Sequence, residues 1–158
     1  MKSFLFKCIS DTTQPFLHSL VKTSLLAILF GLITTYSVDL IFPNYPHPNI
    51  EFSIHNFIGA VLLGPIFESL FMLPIFIVIK KITDKILLAA VLSASFWAGL
   101  HSLQYIFWGV VTFPLFFIIS LSYLSWIKKS QAKAVLSMLL IHHFNNTFMY
   151  SLAYFTTT

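Results

Sequence analysis

Charge is what this chain has least of. Asp, Glu and Lys make up 9% of its 158 residues, and arginine is absent. Soluble domains carry about a quarter of their residues charged, so a water-soluble globular fold is excluded. The formal charge of +4 does not mark a nucleic-acid surface, because the lysines are few and scattered between apolar runs. One cysteine, Cys8, rules out an internal disulfide and leaves the redox compartment open. The chain shows no internal repeat and no low-complexity tract. The segment 1–22 is too interrupted for a secretory signal and no small-residue cleavage site follows it.

What is present is hydrophobic. Apolar residues reach 58%, mean hydropathy is +0.88, and there are 18 Phe, which suits a lipid-facing surface. Runs near the twenty residues a bilayer requires predict an all-α polytopic transmembrane helix bundle of about five spans. The segment 1–22 is expected to lie at the interface, and 23–158 to form one transmembrane domain. The spans are expected at Thr23–Phe42, Phe57–Ile79, Ile86–Leu103, a fourth reaching Ile127, and Ala132–Phe155. Asp84 is a candidate N-cap for the third. The turn before the fourth falls at Ser102–Gln104 or nearer Trp108-Gly109.

Lysines occur in alternate connections. Lys2, Lys7 and Lys22 precede the first run, Lys80, Lys81 and Lys85 follow the second, and Lys128, Lys129 and Lys133 follow the fourth. The connections around Asn44–Asn56 and Ser102–Gln104 have none. The positive-inside rule then places the N-terminus in the cytoplasm and the C-terminus outside. His47 and His55, in or beside the proline-rich outer loop, read as solvated loop histidines.

Against this background a few polar residues stand out. Glu68 lies within the second run, behind Gly64 and Pro65. A carboxylate there costs a few kcal/mol and is a functional candidate. Trp97 and His101, four apart, share a face of the third run, and His142 and Asn146 share one in the fifth. On the same grounds His143 and Asn145 are expected to point elsewhere. At ~1.5 Å per residue, Glu68, His142 and Asn146 lie about 15–21 Å from the lysine-bearing ends of their spans and His101 about 24 Å. One polar pocket can therefore hold all four.

Such a pocket suits hydrolysis. A carboxylate out of water is a stronger base toward a water molecule. A neighbouring histidine polarises that water, and a second histidine with an asparagine one turn away can hold an oxyanion. Glu68, His101 and His142 would also make a two-histidine, one-carboxylate zinc set with an open position, although no HExxH is present. Interhelical hydrogen-bond glue and a proton relay are the competing readings.

Pro65 and Glu68, then Trp97 and His101, then His142 and Asn146 follow the order and spacing of a known pattern. The chain resembles the CPBP intramembrane proteases, the Abi superfamily of the CAAX prenyl endopeptidase and bacteriocin-immunity homologues. The similarity covers about 57–153. It implies a membrane endopeptidase acting on a membrane-inserted peptide or a lipidated or C-terminally anchored protein. In the family reading Glu68 and His101 activate water, and His142 and Asn146 form the oxyanion hole. A metal-free glutamic mechanism is expected, with zinc the alternative. Three positions depart from the pattern: Ser69 replaces a second glutamate, Leu73 an arginine, and Trp97 the usual phenylalanine. Losing both charges together leaves neither unpaired, and a peptide-binding or immunity role without catalysis is the alternative function.

The lysine distribution makes Cys8 a natural topology probe. A membrane-impermeant maleimide should label it only after cells are opened, and labelling of intact cells would reverse the orientation.

Overall fold

In the computed structural model, residues 4–45 and 51–157 are described. His47 lies outside them. The described residues are helical, with no strand among them. A short helix α1 (Phe4–Ser10) leads into α2 (Phe16–Ile41), which starts behind Pro15. Helix α3 runs over Ile54–Ile82, with Ile58–Leu63 in the wider π form. Then come α4 (Ile86–Ser102), α5 (Trp108–Trp126) and α6 (Gln131–Thr157).

Three of these, α2, α3 and α5, are long and apolar enough to cross a membrane. Helix α4 is apolar but has only 17 residues. Helix α6 has 27, about 40 Å at the helical rise, but carries the polar group His142, His143, Asn145 and Asn146 at its centre.

The boundaries differ from the sequence expectation in three places. Helix α2 takes in Phe16–Lys22, so the N-terminal segment is partly the first turns of the first long helix. The turn between α4 and α5 is 103–107, which overlaps the first position the pattern offered and runs on to just before the second. The N-cap of α4 is Lys85 without a side-chain hydrogen bond, so Asp84 does not cap it. The chain is extended at Thr83, whose hydroxyl accepts from the Lys85 N–H instead.

Helix α5 is the axis of the bundle. Its second half is buried on every side, from Ile118 through Trp126. A helix apolar all round belongs in the middle of a structure. It packs on α1, α2, α4 and α6. Stacked rings fix its register: Phe76 on Tyr123 at 4.7 Å and Trp97 on Phe116 at 5.2 Å. Where α4 and α5 meet as an antiparallel pair, a Cβ on Gly109 would run into the Ala98 carbonyl and the Ser102 hydroxyl. Only glycine lets the two backbones approach this closely.

Helix α3 is held differently. It packs chiefly on α6 and α4, touches α5 near the lysine-bearing end through the Phe76–Tyr123 stack, and stands off from α5 and α2 in its other half. The space this leaves is the cavity described below. At the lysine-bearing end, the Lys129 ammonium donates to the Thr12 carbonyl and Phe16 meets Trp126 edge-on. At the opposite end, Phe42 stacks on Phe107 at 4.4 Å.

Gly109→Ala should lower stability by about 1–3 kcal/mol, as forced overpacking does. Gly99→Ala, whose added Cβ meets nothing within 4 Å, should leave stability unchanged or slightly raised. Thermal unfolding in detergent compares them, and equal midpoints would disprove the close approach.

Candidate active site

The cavity between α3 and the rest of the bundle holds about 370 Å³. It occupies the half of the bundle away from the lysines. Gln104, Trp108 and Tyr150 line it toward that end, and Glu68 and His142 lie deeper. Glu68, His101, His142 and Asn146 all line it, so the structure brings together the four residues picked out from the sequence.

Each side chain is placed by its helix. His142 and Asn146, one turn apart on α6, face the cavity together. His142 is buried, and its Nε2 lies 3.4 Å from Glu68 Oε2. The carboxylate remains about a third exposed toward the cavity. His101 is on the last turn of α4, with its Nδ1 2.9 Å from the Trp97 carbonyl oxygen. A carbonyl oxygen only accepts, so Nδ1 carries the hydrogen. In the neutral ring Nε2 is then the lone-pair nitrogen. Trp108 at 5.4 Å and Phe116 at 5.1 Å box the ring.

Phe116 also meets His142, at 5.5 Å. Both imidazoles therefore rest on one phenyl ring. Among the described residues no three His, Cys, Asp or Glu side chains gather as a metal site.

Asn146 has a second attachment that the sequence does not announce. In a regular α-helix the Ala60 carbonyl would accept from the Gly64 N–H. Here the Gly64 N–H turns to the Gly59 carbonyl, five residues back. In that wider register the next donor to Ala60 would be residue 65, which is proline and has no N–H. Both donors that regular geometry would bring to Ala60 are gone. Asn146 replaces them across the helix interface, with its Nδ2 donating to Ala60 O at 2.9 Å. One amide hydrogen is committed there and the other remains. The helix thus accommodates Pro65 with a π turn that α6 clamps.

Asn145 was expected to point elsewhere, yet it lines the cavity. It is buried, and its Nδ2 donates to Asn146 Oδ1 at 3.4 Å. The α6 face turned to the cavity is wide enough for 142, 145, 146 and 149, the i, i+3, i+4, i+7 set of one helix side. Counting only i, i+4 pairs missed it. Gln104 and Tyr150 were also missed, since polar residues near a helix end carry no special signal. His143 does point elsewhere. Its Nδ1 bonds the Leu139 carbonyl at 2.8 Å. His18 and His55 are exposed.

Comparison with protein-family models, with curated proteins and with solved structures returns no match for this chain.

Removing the Asn146 amide should leave the Ala60 carbonyl without its donor, at a cost of about 1 kcal/mol, the net worth of one hydrogen bond. Pro65→Ala restores an N–H at that point. Asn146→Leu should therefore destabilise the native chain but have a much smaller effect in a Pro65→Ala background. Additive unfolding free energies in this double-mutant cycle would disprove the clamp.

Proposed function

We propose that this chain is an intramembrane endopeptidase of the CPBP type, with five spans and its N-terminus in the cytoplasm. The observation that carries the reading is the shared cavity. One carboxylate, two imidazoles and a carboxamide from three helices face one space, and Glu68 and His142 lie 3.4 Å apart in it. For interhelical glue alone, such groups would be expected to close on one another and leave no room.

In this reading a water sits between Glu68 and the scissile carbonyl. Glu68 takes one proton, and the free Nε2 of His101 accepts a hydrogen bond from the O–H that remains. The oxygen attacks the carbonyl carbon. Charge then develops on the carbonyl oxygen, where His142 and the uncommitted N–H of Asn146 donate to it. Glu68 passes its proton to the leaving amine as the C–N bond breaks. The substrate is a membrane-inserted peptide or a lipidated or C-terminally anchored protein. Beyond the single carboxylate, the polar groups lining the cavity are uncharged, which suits a main-chain segment rather than a charged headgroup.

A second reading is a peptide-binding or immunity protein without turnover. Ser69 and Leu73 favour it, because they replace the charged pair expected beside Glu68.

Purified protein in bilayers, offered lipidated and C-terminally anchored peptides, separates these readings. Cleavage should appear and should persist with a chelator present. Loss of cleavage on chelation, restored by zinc, would replace the metal-free mechanism. Peptide binding without any product would favour the second reading.

A further inference from the structure

Three histidines, His101, His142 and His143, lie at or next to the cavity wall, and two of them behave alike. His101 bonds the Trp97 carbonyl and His143 the Leu139 carbonyl, each through Nδ1 and each four residues back on its own helix. This is the ordinary way for a helical imidazole to satisfy one nitrogen where water is scarce. It leaves the hydrogen on Nδ1 and the lone pair on Nε2. His142 has the same option at Met138 and does not take it. Its Nδ1 instead faces the Ser69 hydroxyl across the α3–α6 interface, at 3.5 Å.

Ser69 is fully buried, and His142 is its one hydrogen-bond partner among the described residues. A hydroxyl has a hydrogen to place, and an apolar surround makes an unplaced one costly. The carbonyl of its own helix, four residues back at Pro65, is not used. With its hydrogen directed to Nδ1, the hydroxyl makes that the lone-pair nitrogen. The ring hydrogen then sits on Nε2, 3.4 Å from Glu68 Oε2.

We propose that Ser69 is a positioning residue that holds His142 as the Nε2–H tautomer, opposite to His101, so that one imidazole of the cavity donates and the other accepts. The assignment of tautomers stands on hydrogen bonding alone. Its catalytic meaning rests on the endopeptidase reading above, where a donor is needed at the oxyanion and an acceptor at the water. It also gives Ser69, at a position where the family has a carboxylate, a different task from supporting Glu68: it orients the histidine. A metal bound through His142 Nε2 would need the reverse tautomer, and Ser69 would oppose it.

Nitrogen NMR of the full chain labelled with ¹⁵N-histidine, in bilayers, tests this without any substrate. Signals are assigned by single His→Gln variants. In the native chain His142 should show a protonated Nε2 and a bare Nδ1, and His101 and His143 the inverse. In Ser69→Ala the His142 pattern should invert, as Nδ1–H turns to the Met138 carbonyl. Ser69→Thr, which keeps a hydroxyl, should restore the native pattern. A bare Nε2 on His142 in the native chain would overturn the proposal, and so would an unchanged His142 pattern in Ser69→Ala. The native-chain measurement stands if a variant fails to fold. Because no turnover enters the readout, failure here is distinct from failure of the endopeptidase reading, which only a cleavage assay tests.

Discussion

A polar group in the middle of this bundle gains from a partner within the chain, because a bilayer offers it no water. Much of the interior follows from that constraint. Hydroxyls on the long helices fold back onto their own carbonyls, as Thr23 does to Ser19, Thr34 to Phe30 and Ser125 to Leu121. Ser120 crosses to Ser93 at 3.1 Å and joins α5 to α4. The carbonyl of Ala60, left without a donor by Pro65, draws Asn146 across from α6. A proline and an asparagine 81 positions apart are thereby one structural unit.

The same constraint bears on the proposed chemistry. A group that has spent its hydrogen-bonding capacity on structure has little left for a substrate. Helix α6 holds both kinds. His143 bonds its own helix and faces away from the cavity, whereas His142 keeps a nitrogen on it, facing Glu68. Asn146 is half spent, with one amide hydrogen on Ala60 and one remaining. Helix α3 bears the carboxylate, and because it stands off from α5 the carboxylate looks into space rather than into packed side chains. A tightly packed α3 would have sealed Glu68 and left the site without room for a substrate.

Much of this was legible in the sequence, for physical reasons. Long apolar runs with few charges have one stable form in a bilayer, so helical elements were readable. Glu68, His101, His142 and Asn146 stood out because polar residues are rare at that depth, and their i, i+4 spacing fixed which of them share a face. Other features depended on neighbours that no local pattern encodes. Nothing near Pro65 says that the helix will answer it with a π turn, because the donor that makes the turn tolerable sits on α6. Asn145 looked as if it faced away because its neighbours at 142 and 146 were read as a narrow stripe. The start of α2 at Phe16 was obscured by Lys22 and His18, which mark an interface by composition yet continue the helix.

The central claim is that the Glu68 carboxylate is the base that activates water in this cavity. Glu68→Gln tests it most directly, because the amide keeps the shape and polarity of the side chain but cannot take a proton from water. Cleavage of a membrane-anchored peptide by the purified variant, with its unfolding midpoint checked against the native chain, is the measurement. The account predicts a folded protein with no detectable product. Turnover at the native rate by Glu68→Gln would contradict it.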